Sequence, residues 1–280
     1  MKKALLIGIN YINSTDISLN GCIDDVINMR NMLIDAYDYR ATDITILRDD
    51  NFDFLPTKQN IIKEIENIVD KSTDLEEFWF HYSGHGTLLS GEKDPENNTD
   101  NILVPVDYMN NGYISDVDLF EMIKQIQCRS IFVFDCCHSG TICNLPWTFE
   151  YQSPTKFTVK KSDIPVSNSN IYVFSGCKDT QSSEDIYNTE DTQMVGAFTS
   201  SFIRCLRDSH HNIPILNLYR NICIDIQKKG LKQTPVFSST NPSPSYVITK
   251  PTFSAKVNLP IGYANTKTSI MRNMNMMLNR

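Results

Sequence analysis

Short, wholly apolar runs alternate along the chain with stretches in which apolar residues recur every three or four positions. Residues 4–9 are apolar and stop at Asn10, the pattern of a buried strand. Residues 25–37 then place Val26, Met29, Leu33 and Tyr37 on one helical face. Residues 44–47 read as a second strand. A helix follows over 57–69, with Thr57 as its N-cap and Ile61, Ile65 and Ile68 facing inward. Residues 77–82 form a third strand. Ser115-Asp116-Val117-Asp118 is a capping signature that opens a helix with Leu119, Met122, Ile123 and Ile126 inward. Residues 131–134 and 171–174 supply a fourth and a fifth strand, and 197–206 another helix. This β-α-β-α order predicts an α/β fold: a mostly parallel central sheet with helices on both faces.

Two stretches break the rhythm. Residues 90–101 are polar and read as a surface loop. Residues 144–170, with Pro146, Pro154 and Pro165 and the basic Lys156, Lys160 and Lys161, read as a long connection, and connections of that length usually carry function or move. From about residue 250 no period is visible, and four of the ten methionines crowd into 271–277. The expected organisation is one domain over 1–248 and an extension of unknown role over 249–280.

Composition narrows the function. Of 280 residues, 41% are hydrophobic and 21% charged, the make-up of a globular protein. A net charge of −7 provides no basic field for nucleic acid or an anionic membrane. No apolar run is long enough to span a bilayer. Met1-Lys2-Lys3 and the apolar run behind it resemble a signal peptide, but no small-residue cleavage site follows, so a first strand is the better reading. Several of the eight cysteines sit inside apolar runs, where a free thiol behaves as a small hydrophobe. A reducing, cytoplasmic setting is expected.

In open α/β sheets, ligands bind beyond the carboxyl ends of the strands. The third strand runs out into Ser83-Gly84-His85-Gly86 and the fourth into Asp135-Cys136-Cys137-His138-Ser139-Gly140. A histidine and a cysteine, each near glycine, thus leave one sheet edge together. That suits a nucleophile and its base, since an adjacent imidazole both takes the thiol proton and stabilises the thiolate. Gly86 N–H and Cys137 N–H are candidates for an oxyanion hole. The competing readings are packed or surface side chains, and a metal site. His81 and His85 stand four apart, but Ser83-Gly84 is poor helix and the glutamate of His-Glu-x-x-His is absent. No Cys-x-x-Cys pair exists.

Residues 80–86 and 134–140 resemble the two active-site motifs of metacaspases, caspase-like cysteine peptidases. The likeness extends to Leu19-Asn20-Gly21-Cys22-Ile23-Asp24-Asp25, to Pro105-Val106-Asp107, to Ser175-Gly176-Cys177, to Gly196-Ala197-Phe198-Thr199 and to Gln233-Thr234-Pro235. It covers roughly residues 2–248. It implies a caspase-like fold, with a large-subunit-like part over about 1–143, a connection over 144–170 and a small-subunit-like part over 171–248. Cys137 would be the nucleophile, with His85 as general base and acid. Cys136 takes the position where the family usually has a small residue.

The resemblance also implies cleavage after arginine or lysine, through a pocket of Cys22, Asp25, Ser83 and Asp135. Two carboxylates in a partly desolvated pocket favour a cation, because an uncharged side chain leaves them unpaired. Asp25 equally suits a helix N-terminus, and both roles can hold. No cofactor is needed for the chemistry, but many family members use calcium as an activator. Asp100 and Asp116 stand where the family places acids, whereas Val117 and Asn144 replace two others, so calcium is expected to be weak, shifted or unnecessary. No prodomain is expected ahead of the first strand. Lys156, Lys160 and Lys161 are candidate self-cleavage sites. Protein or peptide substrates with basic residues are the expected partners, and a monomer the expected state. The alternatives are a non-catalytic scaffold or quality-control factor on the same fold, and a paracaspase, which the Cys22–Asp25 segment fits less well.

Overall fold

A computed structural model describes residues 1–90, 99–136, 142–143, 145–177, 185–188 and 193–251. The alternation seen in the sequence becomes β1 (Lys2–Gly8), α1 (Cys22–Tyr37), β2 (Ile44–Arg48), α2 (Lys58–Lys71) and β3 (Glu77–Ser83). Thr57 caps α2, its hydroxyl accepting Asn60 N–H at 3.2 Å. A small antiparallel sheet follows: β4 (Gly86–Ser90), β5 (Thr99–Leu103) and, after the short α3 (Tyr108–Asn111), β6 (Ile114–Ser115). The stretch read as a surface loop is therefore strand at both ends, which leaves 91–98 outside the described residues. Next come α4 (Asp116–Ile123), capped by Ser115 as its signature predicts, and β7 (Arg129–Asp135). The helix stops at Ile123, so Ile126 is buried beyond its end.

The connection expected over 144–170 is corrected. Residues β8 (Trp147–Ser153) and β9 (Lys156–Lys161) form an antiparallel hairpin, and Lys156, Lys160 and Lys161 all lie in β9. Trp147, Phe149 and Tyr151 alternate along β8 and give it an apolar face, which outweighs the flanking prolines. Beyond it lie β10 (Ile171–Ser175), β11 (Asp185–Asn188), β12 (Gln193–Gly196), α5 (Ala197–Asp208), β13 (Asn212–Pro214), α6 (Ile215–Lys228), β14 (Val236–Ser239) and β15 (Val247–Thr249).

The main sheet has eight strands in the order β2-β1-β3-β7-β10-β14-β8-β9. The five strands from β2 to β10 are parallel neighbours, and β14, β8 and β9 add on antiparallel. Successive side chains of a strand point to opposite faces, and here each face has its own core. Leu6, Trp79, Val133 and Phe174 pack with Leu33 of α1, Phe202 of α5 and Tyr219 and Ile222 of α6. Leu5, Phe80, Phe132 and Val173 pack with Ile61 and Ile65 of α2 and Leu119 and Ile123 of α4. Tyr219 also ties the hairpin down: its hydroxyl accepts Tyr151 N–H at 2.9 Å and donates to the Pro235 carbonyl at 3.0 Å. Met1–Lys250 is one compact unit; Pro251–Arg280 separates as a second, of which Pro251 alone is described.

Candidate active site

Parallel pairing aligns the carboxyl ends of the central strands. Gly8 of β1 lies beside Ser83 of β3, and Ser83 beside Asp135 of β7. A side chain at position 8 would meet the Cys22 carbonyl at 2.5 Å. Glycine there lets the first turn of α1 sit against the end of β1, and that turn carries Cys22 and Asp25.

Asp25 is wholly buried. Its Oδ2 accepts Ser83 Oγ–H at 2.6 Å and its Oδ1 accepts Gly196 N–H at 2.9 Å. Asp135, also buried, accepts Thr199 N–H at 2.8 Å on Oδ2, a carboxylate at the N-terminus of α5 where orphan amides favour negative charge. The two acids converge. A β-carbon built on Gly196 would overlap Oδ2 of Asp135 and lie 2.7 Å from Oδ2 of Asp25. Cys22 and Ser83 are buried beside them. All four residues expected to form a pocket therefore belong to one sheet edge, and the donors named, a hydroxyl and two amides, are neutral.

His85 leaves the same edge two residues after β3. Its Nε2 lies 2.8 Å from the Ile17 carbonyl. A carbonyl can only accept, so Nε2 carries the proton and the lone pair of the neutral ring falls on Nδ1. The ring rests on that of Tyr11, centroids 4.8 Å apart. Gly86 opens β4 and is buried. Cys137 and Asn144 lie outside the described residues, so neither the expected nucleophile nor half of the expected oxyanion pair has described geometry. Cys136 is described and buried, its carbonyl 3.7 Å from Cys177 Sγ.

Asp116, at the start of α4, is buried near Asn101, whose amide nitrogen lies 3.5 Å from Asp116 Oδ2. Val117 is exposed, and its side chain offers no oxygen. The Asp100 side chain is outside the described set, and among the described residues no group of three or more His, Cys, Asp or Glu is arranged to hold a metal ion.

Residues 2–146 match the family described as metacaspase, peptidase C14 domain. The chain belongs to the metacaspase family. It is 36% identical to metacaspase-5 of Trypanosoma brucei brucei over 265 residues, covering 87% of this chain and 52% of that protein. It is 31% identical to metacaspase-1 of Scheffersomyces stipitis, covering 86% and 71%. The chain thus spans about half the length of the trypanosomal metacaspase it matches. Among solved structures it resembles a Geobacter sulfurreducens protein (TM-score 0.63, 22% identity, 89% and 97% coverage) and caspase-1 of Spodoptera frugiperda (TM-score 0.54, 15% identity, 86% of each chain). These likenesses speak for the fold, which is caspase-like.

Several groups that hold the expected site residues are backbone groups: the Ile17 carbonyl and the Gly196 and Thr199 amides. Sequence patterns of chemically active side chains are silent on these. The Gly196-Ala197-Phe198-Thr199 resemblance is the one signal for two of them, and Ile17 has none.

Proposed function

We propose that the chain is a cysteine endopeptidase that cleaves proteins after arginine or lysine. The observation that carries this reading is the convergence of Asp25 and Asp135 on Gly196, beside Ser83, at the edge from which His85 departs. A guanidinium or ammonium group gains from two buried carboxylates what a neutral side chain cannot return.

In the proposed reaction His85 Nδ1 takes the Cys137 thiol proton, and the thiolate attacks the scissile carbonyl carbon. The oxygen becomes an oxyanion held by Gly86 N–H and Cys137 N–H, each worth about 3 kcal/mol in comparable acyl-transfer sites. The C–N bond breaks as the imidazolium returns the proton to the leaving amine, which leaves a thioester. Water then attacks the thioester, giving its proton to His85, and the free acid and the thiol are restored. No step calls on a cofactor.

Calcium, if used, would draw on Asp100 and Asp116. The exposed, oxygen-free side chain of Val117 argues for a site too poor in ligands to be required. Self-cleavage would favour Lys156, next to the hairpin turn, over Lys160 and Lys161, which pair with Glu150 of the neighbouring β8 and with Asp163 just beyond β9. The described cysteines are unbridged, which suits a reducing cytoplasm.

The test is hydrolysis of fluorogenic peptides ending in arginine or aspartate, with and without millimolar calcium, alongside Cys137→Ala. Cleavage after arginine alone, lost in the variant and retained without calcium, is the expected result. Cleavage after aspartate would overturn the pocket. Silence of both peptides in every condition would favour the scaffold role.

A further inference from the structure

Tyr11 is the second residue after the run that forms β1, and its backbone is unusual. It is buried, yet its φ is +53°, a left-handed conformation that costs a residue with a side chain roughly 1–2 kcal/mol. Such strain persists only where the surroundings over-determine it, and it gathers at functional sites. Here the clamp on the backbone is Asp49. Its carboxylate, also buried, accepts Asn10 N–H and Ile12 N–H, each at 3.0 Å, and so grips the amides on both sides of Tyr11. Asn10 closes the loop by accepting Cys22 N–H on Oδ1 and Leu19 N–H on its carbonyl.

The strained backbone delivers the Tyr11 hydroxyl to the strand end that carries His85. That hydroxyl donates to the Val104 carbonyl at 2.6 Å and accepts His85 N–H at 3.0 Å. The Tyr82 hydroxyl, 3.5 Å away, donates to the His85 carbonyl at 2.9 Å, and Val104 N–H reaches the same carbonyl at 3.2 Å. Both backbone groups of His85 are thus held by a tyrosine hydroxyl. The loop that begins at Tyr11 also supplies Ile17, whose carbonyl holds Nε2.

We infer that Tyr11 and Tyr82 are positioning residues which, with Asp49 holding Tyr11 in its left-handed backbone, fix His85 in the orientation its proton transfer needs. The inference rests on the reading of His85 as base to Cys137. Both hydroxyls are engaged with backbone groups of His85 and Val104. Burial pushes both phenols far above the usual tyrosine range, so they stay neutral throughout the working pH and serve as hydrogen-bonding groups alone. The titratable groups that face Tyr11 are His85, whose ring rests on it, Tyr82, and the Cys22 and Cys136 thiols. A base that must meet a thiol within hydrogen-bond reach loses rate steeply when displaced by an ångström, and a histidine just past a strand end has few other restraints.

The experiment measures alkylation of Cys137 by iodoacetamide against pH, read by peptide mass spectrometry, in the wild type, Tyr11→Phe, Tyr82→Phe and His85→Ala. It needs no substrate and reports how readily the thiolate forms. The phenylalanine variants keep the rings and remove only the hydroxyls. In both, the midpoint is expected to rise by about one pH unit, so that labelling well below the wild-type midpoint slows about tenfold. In His85→Ala the midpoint is expected to reach the ordinary thiol range near ~8.5. With peptide substrate, kcat falls in the phenylalanine variants and KM does not. Wild-type midpoints in both of them, beside a shifted His85→Ala, would overturn the clamp and leave the dyad standing. An unchanged midpoint in His85→Ala would sink the dyad, and the clamp with it. If Tyr11→Phe does not fold, Tyr82→Phe, which removes a single donor, decides the matter.

Discussion

A methyl group at position 196 would land on two carboxylates at once. The backbone of Gly196, φ −62° and ψ 135°, is one that alanine adopts freely, so what excludes a side chain there is Asp25 and Asp135 rather than conformation. Gly196→Ala is therefore expected to disturb the pocket more than the fold. Overpacking of this kind costs about 1–3 kcal/mol of stability, whereas kcat/KM on an arginine peptide should fall on the order of a hundredfold as the carboxylates are pushed apart. Peptide kinetics beside a thermal melt check this, and undiminished kcat/KM would show that the pair does not line the pocket. At this scale the sequence announced the side chains: Cys22, Asp25, Ser83, His85 and Asp135 meet at one edge, as strand-end logic and the motifs require. It did not announce Gly196, Thr199 or Ile17 as contacts. Any residue can lend an amide or a carbonyl, so their identities carry no mark of the role.

Among elements, β9 occupies the position where a sheet is most exposed to another copy of itself. An edge strand offers unpaired amides and carbonyls, and β9 is one of the two edge strands of the eight, β2 being the other. Lys156, Lys160 and Lys161 lie along it, exposed, and charge of one sign opposes edge-to-edge pairing with an identical strand. Sedimentation velocity at tens of micromolar is expected to show a single species of 32.0 kDa. Replacing the three lysines with threonine should bring in a dimer as concentration rises; a dimeric wild type would refute this reading of the edge. The hairpin also marks where element prediction failed. The alternating aromatics of β8 and the three-to-four spacing of Ile215, Leu218, Tyr219, Ile222 and Ile226 in α6 were present in the chain. Prolines and lysines around the first, and the lack of a side-chain cap before the second, masked them. The parallel strands were plain because each is apolar on both faces, the mark of burial between two helical layers.

For the whole molecule, those two layers isolate the sheet from water, and one buried group makes the cost titratable. His81 of β3 is fully buried, its Nδ1 donating to the Val133 carbonyl at 3.2 Å. Burial pushes its pKa down to about 4 from the usual 6.5. Between those values the unfolded chain binds a proton that the folded chain refuses. The contribution to stability is thus whole above pH 6.5 and drains away as pH falls towards 4, on the order of 3 kcal/mol in all. Urea denaturation across that range should show the loss, and His81→Leu should flatten it; an unaltered slope in the variant would assign the loss to other groups. The same two-layer plan bears on when selectivity arises. Asp25, Ser83 and Asp135 all lie in the first half of the chain, but the amides that hold the two acids, on Gly196 and Thr199, come from the second, 171 and 64 residues further on. A ribosome therefore releases the acids well before the groups that fix them. On the proposed reading the pocket is completed only once Gly196 and Thr199 have followed Asp25 and Asp135 out of the ribosome, so choice of cleavage site is a late property of the folding chain.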